Sequence, residues 1–214
     1  MIIAIDGPAA SGKGTVARAL AARFGLPHLD TGLLYRAVGF AALTRGLDLK
    51  DAAALAALAG ELDLAAFDPE ALKSGPVGEA ASRVAALPQV RAALLKLQRD
   101  FAARPGGAVL DGRDIGTVIA PQAEVKIFVT ASPEARAARR YRELSQRGEA
   151  VSETTVLEDI RRRDARDSGR ASAPLVKAPD AVELDNTALS AAESVARALE
   201  IVAARTAPPA PGME

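Results

Sequence analysis

A short apolar run, Ile2-Ile3-Ala4-Ile5, leads into Gly7-Pro8-Ala9-Ala10-Ser11-Gly12-Lys13-Gly14-Thr15, and behind it Val16, Leu20 and Phe24 recur at helical spacing. Strand, glycine loop, lysine and helix in that order form the P-loop in the context the motif requires. This order restricts the chain to folds in which a buried strand feeds a helix through a tight turn that glycine permits. Inward-turned N–H groups and the helix N-terminus together make an anion site. Lys13 adds a mobile positive charge suited to β- and γ-phosphates, so Gly7–Thr15 is the candidate nucleotide loop. One detail departs from the commonest form: Gly14 follows the lysine, and the hydroxyl comes one residue later, as Thr15.

Strand and helix continue to alternate beyond the loop. Strands are expected at about Ile2–Ile5, Pro27–Leu29, Ala108–Leu110, Val125–Val129 and Val182–Leu184. Val125–Val129 is a continuous apolar run, the pattern of a strand buried on both faces. The first helix, about Gly14–Phe24, is stopped by Gly25 in a C′ role, and the second, to about Arg45, by Gly46. Residues 51–104 read as alanine-rich helix broken near Pro69–Pro76 and at Pro88. Ser132 with Pro133 opens another helix, a further one covers 153–167, and a Ser190/Glu193 capping box opens the last, to about Arg205. The Pro208–Gly212 segment reads as part of a disordered tail over 207–214. Five strands interleaved with helices predict an α/β fold: a five-stranded parallel sheet covered by helices on both faces. A chain of 214 residues is enough for one such domain, expected over 1–206, with small mobile insertions.

Lys+Arg and Asp+Glu both number 27, so the net charge is zero and nothing in it argues for a nucleic-acid or membrane partner. The absence of cysteine excludes disulfides and thiolate chemistry. The single histidine, His28, cannot build a histidine-based metal cluster; a strand position near the core is expected for it, with no assigned role. The N-terminal apolar run is too short for a signal peptide, and no stretch is long and apolar enough to span a bilayer. A monomeric cytoplasmic enzyme is the expectation.

Two further segments follow strands: Asp30-Thr31-Gly32-Leu33-Leu34-Tyr35-Arg36, and Asp111-Gly112-Arg113-Asp114-Ile115-Gly116-Thr117. Ligands in such sheets bind beyond the carboxyl ends of the strands, so both segments should face the glycine loop. Arg36 and Arg113 could then clamp a second phosphate through bidentate hydrogen bonds. No direct protein ligand to a metal is expected, but Thr15 and Asp111 could orient magnesium through water. The alternatives are a plain helix cap for Asp30-Thr31 and a surface pair with Asp114 for Arg113. A third segment, Arg161–Arg170, is dense in arginine. It reads either as a solvated helix with i,i+4 pairs or as a charge-neutralising set. Arg163, Asp167 and Arg170, spaced by four and three, share one helical face, and Gly148 and Ser168-Gly169 offer the joints of a lid.

Together with Ser82-Arg83-Val84-Ala85-Ala86-Leu87-Pro88-Gln89-Val90-Arg91, with Asp111–Val118, and with Arg163–Arg170 followed by Ala173-Pro174-Leu175-Val176, these segments follow a familiar order. The Gly-Lys-Gly-Thr ending resembles the nucleoside monophosphate kinases, and over most of its length the chain resembles the bacterial cytidylate kinase family of P-loop kinases. The resemblance implies transfer of the ATP γ-phosphoryl group to CMP or dCMP, with Mg2+. It assigns Gly7–Thr15 to ATP, with Arg139 and Arg140 near its phosphates at the start of the lid arm. It places Ser82, Arg91 and Asp114 on the cytosine ring and Arg36, Arg113 and Arg170 on the CMP phosphate. Asp167 and Arg163 fall near the ribose hydroxyls, and Thr31 matches a position that usually holds a small hydroxyl residue. Lys13, Arg113, Arg163 and Arg170 make the catalytic set. An acceptor-binding subdomain is expected over about 46–104 and a lid over about 145–175. Longer bacterial members carry a β-rich insertion before the Ser82 helix; here Leu62–Gly78 is short and lacks strand-like alternation, so a reduced, helical subdomain is expected.

No carboxylate base is required, because a phosphate monoester with a second pKa of about 6 is already nucleophilic near neutrality. Alignment, charge neutralisation and exclusion of water remain as the enzyme's work. A kinase for another nucleoside monophosphate, shikimate or dephospho-coenzyme A would share the loop but not the cytosine-reading set. A regulatory GTPase needs an Asn-Lys-x-Asp guanine reader, which the only asparagine, Asn186 in Asp185-Asn186-Thr187, does not match. A sensor without turnover has no need for two phosphate-clamping arginine sets.

Overall fold

Val109, Leu110, Val125, Ile127 and Val129 have almost no exposed surface. Continuous apolar strands of this kind require cover on both sides. The computed structural model describes residues 1–68 and 70–206; Pro69 and residues 207–214, with the expected tail, lie outside that range. Strands β1 (Ile2–Asp6), β2 (His28–Asp30), β3 (Ala108–Gly112), β4 (Val125–Thr130) and β5 (Val182–Asp185) form one parallel sheet in the order β2-β3-β1-β4-β5. Helices are α1 (Lys13–Phe24), α2 (Thr31–Thr44), α3 (Ala52–Gly60), α4 (Gly75–Val84), α5 (Pro88–Ala102), α6 (Pro133–Gln146), α7 (Glu153–Ser168) and α8 (Ala191–Thr206).

Alternation along β1 divides the core. Ile3 and Ile5 pack with Val16 and Leu20 of α1 and Val202 of α8. Ala4, between them, faces the opposite layer with Leu110, Ile115 and Ala102 of α5. Away from the sheet, α2 to α5 bury Leu34, Val38, Leu55, Val84 and Leu94 in a separate cluster. A small one joins Leu144 of α6 and Ile160 of α7 to Ala9 of the glycine loop.

The expected five-stranded α/β sheet is present, and each strand runs one residue or so further toward its carboxyl end than the sequence implies. Gly25 ends α1 in the left-handed conformation with φ 63°. Ala135 N donates to Ser132 Oγ at the start of α6, and the Ser190/Glu193 box closes through Ser190 N to Glu193 Oε2 and Glu193 N to Ser190 Oγ. Pro76 lies inside the first turn of α4, where a missing N–H costs nothing, so the break falls before it. Among the described residues of 62–78 there is no strand; short 3-10 turns at Leu64–Ala66 and Ala71–Lys73 precede the start of α4 at Gly75.

The sequence gives no sign of the π-helical turn at Ile115–Ile119. The buried Asp6, at the end of β1, accepts from Ile115 N and Gly116 N at 2.8 Å each and anchors that turn. Burial pushes the Asp6 carboxyl up to about 6, against the pull of those two hydrogen bonds. The register sets Ile5 against Asp111 and Asp30 against Asp111, so β1, β2 and β3 end level. That level edge collects the residues of the site.

Candidate active site

The glycine loop is pressed against its neighbours. A Cβ on Gly7 would stand 2.0 Å from the Val129 carbonyl oxygen, and Gly12 precedes α1 at φ 85°, in the left-handed region that favours glycine. Lys13 opens the helix and donates from Nζ to the Pro8 carbonyl at 3.3 Å. Protein crowds its ammonium, and that desolvation lowers its pKa to about 7; Arg113 adds to the effect, and Asp111 and Asp30 oppose it. Around it opens a cleft with about 1420 Å³ of empty space, walled by Thr15, Arg36, Arg113, Arg140 and Arg163 from different elements. Burial lowers Arg163 to about 9 and Arg36 to about 10, and neighbouring arginines (Arg113 and Arg140 respectively) push the same way. Seven cationic side chains against the three carboxylates of Asp30, Asp111 and Glu143 on its walls suit the cleft to a ligand bearing several negative charges.

A second, small pocket adjoins the cleft and shares Gly32, Arg113 and Arg163 with it. It brings together Thr31, Ser82, Arg91, Asp114, Asp167 and Arg170, all of the remaining expected acceptor residues except Arg36, which lies in the cleft. Ser82 comes from α4 and Arg91 from α5. Arg91 Nη2 donates to Asp114 Oδ2, and its guanidinium lies over the Tyr35 ring at 5.6 Å. Asp167 accepts from Arg113 Nε at 2.9 Å and from Arg170 Nη2. Thr31 Oγ1 donates to the Asp111 carbonyl at 2.9 Å. Ser82 Oγ, Arg163 Nε and Arg170 Nε are buried without a protein partner. Buried donors left this way are costly in a folded chain, and three of them border one pocket.

The simpler alternatives fare unevenly. Arg113 does not pair with Asp114. The chain bends after β3, and there Arg113 reaches Asp167 on α7 while Asp114 reaches Arg91 on α5. Asp30 is a helix cap, accepting from Gly32 N at 2.9 Å, and also a wall of the cleft. Arg161 and Arg162 are solvated, pairing with Glu134 and Asp159, whereas Arg163 and Arg170 turn inward. Helical phase separates Arg163 from Arg161 and Arg162 within α7, and Arg170 follows the helix, beyond its Gly169 cap.

Arg139 lies outside the central cleft, which holds Arg140 instead. It lines a side cavity of about 680 Å³ beside Gly12 and Thr15, donating to Asn186 Oδ1 at 2.9 Å and to the Asn186 carbonyl at 2.6 Å. Asn186 in turn donates from Nδ2 to the Ser11 carbonyl at 2.7 Å. The buried Arg136 bridges the Ala9 carbonyl and Asp164, tying α6 and α7 to the glycine loop. Sequence reasoning missed Asp6, Tyr35, Arg136 and the structural part of Asn186. Asp6 and Arg136 belong to no motif, Tyr35 and Asn186 lie in segments read for other residues, and only tertiary contact gives the four their roles. Among the described residues, no group of three or more His, Asp or Glu side chains gathers as a metal centre, and no helix is long and apolar enough to cross a membrane.

Residues 3–204 match the family model described as Cytidylate kinase. A cytidylate kinase from Xanthobacter autotrophicus is 67% identical over 207 residues, covering 97% of this chain and 99% of that protein. Another, from Methylocella silvestris, is 64% identical over 202 residues, covering 94% of each. At the level of fold alone, a crystal structure of an uncharacterized protein from Eubacterium ventriosum has a TM-score of 0.55 at 15% identity, covering 95% of this chain and 98% of that one. With the model matched almost from end to end and relatives this similar aligned over nearly their full length, the chain belongs to the cytidylate kinase family.

Proposed function

We propose that the protein transfers the γ-phosphoryl group of ATP to CMP or dCMP, giving ADP and CDP or dCDP. The observation that carries this reading is the junction of two sites. A pocket lined by Ser82, Arg91 and Asp114 adjoins the Lys13 cleft, and Arg113 and Arg163 line both. An acceptor seated by its base in the pocket directs its phosphate into the arginine cluster. An acceptor oxygen then bonds to the γ-phosphorus, and the bond from that phosphorus to the β-bridging oxygen breaks to release ADP. Lys13 and the loop N–H groups hold the donor phosphates, and Arg113, Arg163 and Arg170 balance charge as it builds. Acceptor profiling with ATP across CMP, dCMP, UMP, AMP and shikimate tests the assignment; CMP and dCMP are expected to dominate, and preference for another acceptor would overturn it.

Magnesium fits the donors present. It takes oxygen ligands and keeps much of its water, and Thr15 and Asp111 supply a hydroxyl and a carboxylate at the cleft wall. When bound, the ion would neutralise donor phosphate charge. Thr15 and Asp111 would hold its water shell.

The pKa of Lys13 makes donor binding pH-dependent. Phosphate oxygens beside Nζ favour the charged form. A lysine with a pKa of about 7 is mostly neutral at pH 8 and must gain a proton when the donor binds. At pH 6 it already carries one. Calorimetry of ADP binding in buffers of different ionisation heat should show uptake of up to about one proton at pH 8. That uptake should be absent in Lys13→Met. Identical proton counts in the two proteins would refute this role for the lysine.

The segment over about 145–175 acts as a lid on the acceptor-binding subdomain of about 46–104. Supporting contacts cross between them: Arg166 donates to Glu79 at 2.8 Å, Gly75 N to Glu149, and Arg147 to Glu70. A bisubstrate analogue is expected to slow hydrogen exchange across 145–175. Arg170→Ala should lower CMP turnover by about 10- to 100-fold through loss of a charge contact in the transition state, with ATP affinity almost unchanged. Unaltered exchange together with wild-type kinetics would return the segment to a solvated helix.

A further inference from the structure

His28 has no part in the chemistry above, yet it touches the site. β2 and β3 pair in parallel with His28 opposite Val109 and Asp30 opposite Asp111. Residues two apart in a strand share a face, so His28, Asp30 and Asp111 lie together. Two carboxylates directly across a strand pair repel each other. Burial raises the Asp30 carboxyl, Asp111 raises it further, and Lys13, His28 and Arg36 oppose the rise. In this setting His28 Nε2 stands 2.7 Å from Asp111 Oδ1, on a carboxylate only 2% exposed. An ionised carboxylate can only accept, so Nε2 donates. Asp30 spends its own Oδ1 on Gly32 N. Asp111 Oδ2 is left on the side of the glycine loop, 3.8 Å from where a Cβ on Gly14 would stand.

We propose that His28 is a positioning residue for phosphoryl transfer: by binding Asp111 Oδ1 it locks the carboxylate with Oδ2 toward the glycine loop, where the magnesium-bound donor sits. The inference rests on the magnesium-nucleotide reading given above. A carboxylate held by one hydrogen bond loses its freedom to swing toward Lys13 or back over Asp30. Partners of this kind behind a metal-orienting group typically contribute 10- to 100-fold in metal affinity. The imidazole also screens the pair of acidic side chains without competing for the cleft as a lysine would.

Because His28 is the only histidine in the chain, its ring signals are unambiguous in a 15N spectrum. In the wild-type enzyme Nε2 is expected to carry a proton, and its signal should move when Mg2+ and ADP are added together but not when CMP is added alone. A proton-free Nε2, or a ring unmoved by Mg2+ with ADP, would overturn the proposal without folding any variant. In His28→Ala, the Mg2+ concentration that half-maximally tightens ADP binding should rise by about 10-fold. ADP affinity without metal and KM for CMP should change by less than about twofold, since neither contact involves the ring. His28→Gln, whose amide can donate from a similar reach, should recover most of the loss. A lower melting temperature in His28→Ala with unchanged Mg2+ dependence would reduce His28 to a packing residue. If wild-type enzyme bound ADP equally with and without Mg2+, the fault would lie in the magnesium reading itself.

Discussion

Lys13→Met is expected to fold and to lose phosphoryl transfer by at least ~10²-fold, the scale on which removal of one transition-state charge contact is felt. Methionine keeps the length of the stem beneath the loop and removes only the ammonium and its bond to the Pro8 carbonyl. Stability should not suffer at neutral pH. A lysine at about 7 in the folded chain and at its ordinary 10.5 when unfolded binds fewer protons folded across that window. Its contribution to stability therefore rises with pH between those values and is least favourable below about 7. Removing it relieves that cost, so the mutant should melt no lower than wild type at pH 7. Single-turnover transfer and a thermal melt decide the matter; near-normal turnover in a folded mutant would refute the assignment of the loop.

The second large effect concerns the base. Asp114 is buried, accepts from Arg91, and lines the pocket beside Ser82. A carboxylate there can accept from the exocyclic amino group of cytosine, while uracil presents an acceptor at the same position. The mismatch sets a buried carboxylate oxygen against a second acceptor with no proton between them, and sites built on such hydrogen bonds discriminate strongly. Asp114→Ala should lower kcat/KM for CMP far more than for UMP, collapsing the preference by at least about 10²-fold. Asp114→Asn preserves volume and offers a donor to uracil, so it should move the preference further toward UMP. Arg91, stacked on Tyr35, would lose its charged partner in either mutant, so melting temperatures belong beside the kinetics. Equal losses for both acceptors would remove Asp114 from base reading.

Much of the fold is legible in the chain because its signals are local. Ile2–Ile5 before a glycine loop, Val125–Val129 as an unbroken apolar run, and Gly25, Pro133 and Ser190/Glu193 as punctuation each depend on residues within one turn or strand. The P-loop belongs to the same class, since its glycines and lysine act through consecutive backbone. Helical spacing alone puts Arg163 and Asp167 on one face of α7, whereas Arg170, expected on the same helical face, lies beyond the Gly169 cap and meets Asp167 from outside the helix.

Partner choice was decided elsewhere. Spacing cannot say that Arg113 leaves its neighbour for Asp167, that Arg91 crosses from α5 to Asp114, or that Arg140 and not Arg139 enters the central cleft. Nor can it show that Asp6 holds the π-helical turn or that His28 holds Asp111. These contacts join residues from 23 to 110 positions apart; the parallel register brings β1, β2 and β3 to a common edge, and α5 and α7 pack their side chains against it. A residue's type and its near neighbours in sequence determined which groups were available for chemistry. Which of them are buried, which are paired and which remain free to bind was determined by packing, because desolvation and charge compensation depend on atoms that only the folded chain brings near.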